Sequence, residues 1–298
     1  MVARRIVTDR QASVGRWTCS GSRFPRSPIP ASSTTDAFTV SRGRPGTTLG
    51  CALLLTVLLC AMPAFAQPLP SHLRTESAHL DGWDVDVDVY EPAAAPARGV
   101  AVIAHGFTRD RSRHRALGED LAAAGVIAVI PDLPHVMDHW GNGAALAELV
   151  DDMAIGALGL PPVERSAVIL IGTSAGGLAS VVAAAKLPGL AGWIGLDPVD
   201  RTGTGTSAAA HVTSPAVLLL GGASQCNLFG SGRSIARALP RLLRSEKLKE
   251  ASHCDFEQPT NRFCEVMCGA SSPQMQLRVR DETVSAAVEM LRGPDAVP

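Results

Sequence analysis

Gly172-Thr173-Ser174-Ala175-Gly176 sets a serine among small residues, with a glycine two positions away on each side. The apolar run Ser166–Gly172 before it reads as a strand, and Ala175–Lys186 after it reads as a helix. A serine on a tight strand-to-helix turn lifts its hydroxyl clear of the backbone. The helix start then offers free N–H groups and the positive end of the helix dipole to a developing oxyanion. Gly177 adds room for the helix to lie on the sheet. Ser174 is therefore the candidate nucleophile, and the chemistry is attack on a carbonyl carbon. His105-Gly106-Phe107 follows the apolar run Gly99–Ala104, where a second oxyanion donor belongs. The expected oxyanion hole is the backbone N–H of Phe107 with that of Ala175. The side chain of His105 is read as structural.

A serine hydroxyl is a weak nucleophile until a base takes its proton. On this kind of sheet the chain order is serine, acid, histidine. Two histidines follow Ser174. His211 precedes a strand and would lie at the wrong end of the sheet. His253 follows the last short strand and is the expected base. The loop after Ala216–Gly221, where many such proteins carry the acid, contains no Asp or Glu. The preceding strand ends Gly195-Leu196-Asp197-Pro198-Val199-Asp200, so Asp197 is the expected acid, with Asp200 as the alternative. The acid's work is to hold the imidazole tautomer and stabilise the imidazolium.

These residues need a scaffold, and the rest of the chain supplies its pattern. Trp83–Tyr90 alternates polar and apolar residues, as a half-buried, antiparallel strand does. Gly99–Ala104, Val126–Ile130, Ser166–Gly172, Leu190–Leu196 and Ala216–Gly221 are short apolar runs of the kind found in central parallel strands. Between them lie helical stretches at Arg113–Ala124, Asn142–Leu158 and Ala175–Lys186. Later stretches follow near Ser234–Leu243 and Glu282–Leu291, with a short polar strand near Leu248. The fold class expected is α/β: a mostly parallel central sheet with helices on both faces. The segment Pro198–Pro215 is too short for a large lid, which predicts an open cleft for short acyl chains or exposed polymer esters. Trp140, Gly141 and Asn142 are candidates for its wall.

The set HGF (105–107), GTSAGG (172–177), GLDPVD (195–200) and SHCDF (252–256) resembles the chlorophyllase and platelet-activating-factor acetylhydrolase branch of the α/β-hydrolase superfamily. It is also similar to dienelactone-hydrolase-like and polyester-degrading enzymes. The resemblance spans roughly residues 80–293. It implies an α/β-hydrolase fold and carboxylic-ester hydrolysis through Ser174, Asp197, His253 and an acyl-enzyme. Thr173 and Ala175 stand where the chlorophyllase serine motif carries His and Arg, so the resemblance names no particular substrate. A secreted acyltransferase using the same acyl-enzyme, or a non-catalytic binding protein on this fold, are the rival readings.

The chain has 298 residues and a formal net charge of −1. Residues 1–46 hold eight Arg against two Asp, a net of +6, which leaves −7 for the remainder. An acidic body argues against a nucleic-acid partner. Residues 1–46, rich in Arg, Ser and Pro, are expected to be a disordered leader. Residues 47–66 are uncharged, Leu-rich and end Ala64-Phe65-Ala66, the pattern of a cleaved signal peptide. A translation start at Val40 would give that signal an ordinary basic flank. The catalytic domain is then 67–298, in a secreted or periplasmic monomer with no stable membrane insertion after cleavage, and no cofactor or metal is expected. Of seven cysteines, Cys226, Cys254, Cys264 and Cys268 fall in the mature part. An even number in an exported chain suggests two disulfides. Cys226 is expected to pair with Cys254 or with Cys268, joining two loops at the rim of the site.

Overall fold

Apolar residues in short continuous runs can be buried on both faces only in the middle of a covered sheet, and that is where the chain puts them. The structure is a computed structural model that describes residues 71–93 and 96–293. The leader expected over 1–46 and the signal peptide expected over 47–66 lie outside the described residues. The strands are β1 (His72–Leu80), β2 (Trp83–Glu91), β3 (Val100–Ala104), β4 (Ile127–Pro131), β5 (Val168–Thr173), β6 (Gly192–Leu196), β7 (Ala216–Leu220) and β8 (Leu242–Lys247). They form one sheet in the order β1-β2-β4-β3-β5-β6-β7-β8. The β1–β2 and β2–β4 pairs are antiparallel, and the other pairings are parallel. Strands β3, β5, β6 and β7 are buried at every residue.

The helices are α1 (Arg115–Ala123), α2 (His139–Ala154), α3 (Ala175–Lys186), α4 (Thr204–Ala209), α5 (Gly232–Ala238), α6 (Arg262–Cys268) and α7 (Pro273–Arg292). Two apolar cores separate on the two sides of the sheet. One joins α2 and α3 to the sheet through Leu146, Leu149, Val181 and Trp193. The other joins α1 and α7 through Leu121, Ile171, Val279 and Ala287. Trp193 is fully buried, and its indole N–H donates to Ser180 Oγ at 2.9 Å.

Several expected boundaries move. β1 is an additional strand that His72–Leu80, polar and with one buried residue, does not signal; it is an edge strand held by its hairpin with β2. α2 starts at His139 because the Asp138 carboxylate caps it, accepting from the Gly141 N–H at 2.9 Å. α5 ends at Ala238, and Leu242–Lys247, expected to begin as helix, is instead β8 against β7. α7 starts nine residues before Glu282, at Pro273, with Ser272 as its cap. The strand ends that matter face one way. Ser174, Asp197 and His253 follow β5, β6 and β8 on the carboxyl side of the sheet, where open α/β sheets bind ligands.

Candidate active site

The turn at Ser174 is strained and crowded. Ser174 sits at φ 56°, ψ −119°, a region that side chains other than glycine rarely enter. Two glycines make the turn sterically feasible. A Cβ on Gly172 would strike the Gly176 carbonyl and the Ser180 hydroxyl; one on Gly176 would strike the Ala104 and His105 carbonyls. The surrounding backbone fixes the turn from the next strand. Ser174 N–H donates to Leu196 O at 3.0 Å, and Val199 N–H donates to Ser174 O at 3.1 Å.

Three side chains remote in sequence meet at this rim. His253 Nε2 lies 2.9 Å from Ser174 Oγ, and His253 Nδ1 lies 2.6 Å from Asp197 Oδ2. A carboxylate can only accept, so Nδ1 carries the proton and Nε2 is left to accept from the serine hydroxyl. Asp197 is 1% exposed and His253 is largely buried. Asp200, the alternative acid, is elsewhere: its Oδ2 accepts the Thr206 N–H at 2.8 Å and hydroxyl at 2.7 Å. His253 is immobilised by its neighbours. The Asp255 carboxylate accepts the Ser252 N–H at 2.7 Å, bracing the turn His253–Phe256, and also accepts the Ser272 N–H at the start of α7.

Sequence reasoning missed Asn227. Its side-chain N–H₂ reaches both Asp197 oxygens, at 3.3 and 3.1 Å, and also the Gly222 carbonyl at 2.7 Å. Its carbonyl oxygen accepts the N–H groups of Ser224 and Gly230. Asn227 is fully buried on the loop after β7, the loop noted for lacking an acid. With the Gly221 N–H at 3.0 Å, it gives the Asp197 carboxylate its remaining partners. The available signal was an asparagine in a loop with no charged residue.

At the expected oxyanion hole, Gly106 passes so close to Ser174 that an added Cβ would lie 3.3 Å from the serine Cβ. Among the described residues the backbone N–H groups of Phe107 and Ala175 enter no hydrogen bond, so both are available to a ligand. The side chain of His105 is structural. Its Nδ1–H donates to Gly106 O at 3.0 Å and its Nε2 accepts from Leu133 N–H at 2.9 Å. Burial holds its pKa below the usual histidine value, so it stays neutral while ordering the loop.

No family model and no curated protein matches the chain. Solved structures do. A dienelactone hydrolase from Anabaena variabilis superposes with a TM-score of 0.57 at 20% identity, covering 74% of this chain and 97% of that one. A brefeldin A esterase, a bacterial homologue of human hormone sensitive lipase, superposes with a TM-score of 0.55 at 15% identity, covering 78% of this chain and 80% of that one. The chain has the α/β-hydrolase fold.

On this hydrolase fold Ser174 and His253 open into a cleft of about 720 Å³. Its wall is largely apolar, with Leu178, Val199, Leu228, Phe263 and Met267 among its residues. Trp140, Gly141 and Asn142 are not in the wall. Trp140 is 54% exposed, Gly141 packs on His135, and Asn142 bonds the His135 backbone. Arg201 and a charged pair interrupt the apolar surface. Arg109, on the loop after β3, forms an ion pair with Glu257 Oε1 at 3.0 Å and donates to Asn261 Oδ1 at 3.3 Å. Burial pushes the Glu257 carboxyl above its usual value, against the pull of Arg109.

Both disulfides end on α6. Cys226 pairs with Cys268, one of the two alternatives the sequence left open, and Cys254 pairs with Cys264 rather than with Cys226. Cys254 directly follows His253, and Cys226 directly precedes Asn227. The short helix thus ties together the loops that hold His253 and Asn227. Disulfides of this kind persist in oxidising, non-cytoplasmic compartments. Among the described residues no helix is long and apolar enough to cross a membrane.

Proposed function

We propose that the protein is a secreted serine carboxylic-ester hydrolase. The observation that carries this reading is the continuous array from Ser174 Oγ through His253 to Asp197 Oδ2, with separations of 2.9 and 2.6 Å. His253 takes the Ser174 proton as Oγ attacks the ester carbonyl, and the tetrahedral oxyanion lies against the N–H groups of Phe107 and Ala175. As the intermediate collapses, His253 gives its proton to the leaving alcohol and an acyl-enzyme remains. His253 then takes a proton from water, whose oxygen attacks the acyl carbonyl; the acid leaves and Ser174 regains its hydroxyl. Asp197 keeps the tautomer and faces the imidazolium. The ester-hydrolase reading agrees with the names of the two structural neighbours, a dienelactone hydrolase and an esterase.

Secretion forms part of the same proposal. It rests on the two disulfides and on the signal-like residues 47–66. The mature chain would start at Gln67, with the hydrolase domain over 67–298. The decisive experiment combines a fluorophosphonate label with a panel of p-nitrophenyl esters. The wild type is expected to label at Ser174 and to favour short acyl chains. Ser174→Ala is expected to lose labelling and at least about a thousandfold in kcat. Unlabelled wild type, or an active Ser174→Ala, would refute the mechanism.

A further inference from the structure

The cleft is largely apolar, yet it carries one buried carboxylate. Glu257 lines it and is 5% exposed. Burying an ionised group is strongly unfavourable unless partners compensate. Glu257 has them on one oxygen only. Oε1 takes Arg109 at 3.0 Å and the Thr260 hydroxyl at 3.1 Å. Oε2 accepts no hydrogen bond among the described residues. It is not sealed in the core either, since it is absent from the buried atoms left without a partner. Glu257 lines the cleft beside Ser174 and His253, and its other side borders a much smaller cavity with His114 and Gln258. A carboxylate oxygen is an acceptor only, so its natural partner is a donor on a molecule in the cleft.

Charge narrows the donor. Arg109 already neutralises Glu257, and Arg113 adds further positive potential. An incoming ammonium would therefore gain little attraction, and a carboxylate would meet the carboxylate itself. A neutral O–H has no such conflict and satisfies the orphan oxygen. Glu257 also stands four residues after His253 on the same loop, so the acceptor is fixed relative to the base.

We propose that Glu257 is a specificity residue whose free oxygen accepts a hydroxyl of the substrate, so that the preferred substrates are esters bearing a free hydroxyl near the scissile bond. This rests on the ester-hydrolase reading and adds the substrate class to it. The hydroxyl can belong to the acyl part, as in hydroxy-acid esters, or to the alcohol part, as in partial esters of polyols. A site built to bond an O–H discriminates against a substrate lacking it, because the acceptor is then left unpaired.

Matched ester pairs test this with the intact protein. Ethyl 3-hydroxybutyrate against ethyl butyrate probes the acyl side; 2-hydroxyethyl butyrate against propyl butyrate probes the alcohol side. In the wild type, kcat/KM for the hydroxylated member of at least one pair should exceed that of its twin by about tenfold to a hundredfold. Glu257→Leu should bring that ratio close to one. Because Leu leaves Arg109 unpaired, the double variant Arg109→Met/Glu257→Leu and the near-isosteric Glu257→Gln are measured alongside; the double variant should match the Leu result and Gln should lower the ratio several-fold. Ratios near one for both pairs in the wild type, or a wild-type preference that persists in every variant, would overturn the subsite while leaving the hydrolase reading intact. Failure of wild type to cleave any of the four esters, with Ser174 unlabelled by the fluorophosphonate, would overturn both.

Discussion

The catalytic reading turns on a handful of atoms, and Asn227 offers a sharp test of how they are held. On that reading Asp197 orients His253 best when its carboxylate is itself fixed through its other lone pairs. Asn227 and the Gly221 N–H do this. A hydrogen bond to a charged group contributes about 1.5–3 kcal/mol. Asn227→Leu keeps similar bulk and is expected to lower kcat about tenfold or more while leaving KM within a few-fold. Steady-state kinetics with a soluble p-nitrophenyl ester would show it, and a variant with wild-type kcat would remove Asn227 from the account. Asp197→Asn is the harsher change. An amide can donate to Nδ1 and favour the wrong imidazole tautomer, so a loss of kcat near 10⁴ is expected.

Among the elements, α6 is the one whose placement depends on covalent bonds. It has seven residues, fewer than a helix needs to be stable alone, and it exposes Phe263, Val266 and Met267. Cys264 and Cys268 attach it to the loops of His253 and Asn227. In the chain-entropy view, a bridge across 42 residues contributes about 4 kcal/mol and one across 10 residues about 3. Cys226→Ser/Cys268→Ser is therefore expected to lower Tm more than Cys254→Ser/Cys264→Ser. The shorter bridge adjoins His253, the proposed base, so its loss should reduce kcat more strongly. Thermal melts and kinetics on the two double variants separate the effects, and the opposite ranking in either measurement would refute the assignment. The same elements explain what the sequence made legible. β3, β5, β6 and β7 announce themselves as apolar runs because both their faces are covered. β1 and α6 do not, because an edge strand and a tethered helix take their stability from one neighbour or from a bridge.

At the scale of the molecule, acid should unfold the protein, and His114 is one reason. It is fully buried before α1, its Nε2 has no hydrogen-bond partner among the described residues, and burial pushes its pKa down to about 3. Unfolded, it titrates near 6.5. Between these values the unfolded chain binds the extra proton, so stability is present above about pH 6.5 and falls as pH drops toward 3. His105, buried and held neutral, adds in the same direction. At pH 5 the His114 contribution is a loss of about 2 kcal/mol relative to pH 7. Chemical denaturation of His114→Leu at both values should show a smaller pH 7 to pH 5 loss than the wild type, and an equal loss would contradict this origin.

Local pattern by itself determined the alternation of strands and helices and the Gly-Thr-Ser-Ala-Gly turn. These follow from burial on a sheet and from the steric needs of a tight turn, which adjacent residues express. Only the tertiary structure decided that Asn227 reaches back across the sheet edge to Asp197, that Cys226 meets Cys268, and that Arg109 and Glu257 share one cleft wall. Each of those contacts joins residues 30 or more positions apart on different strand ends. Their proximity arises from strand order, which no local pattern encodes.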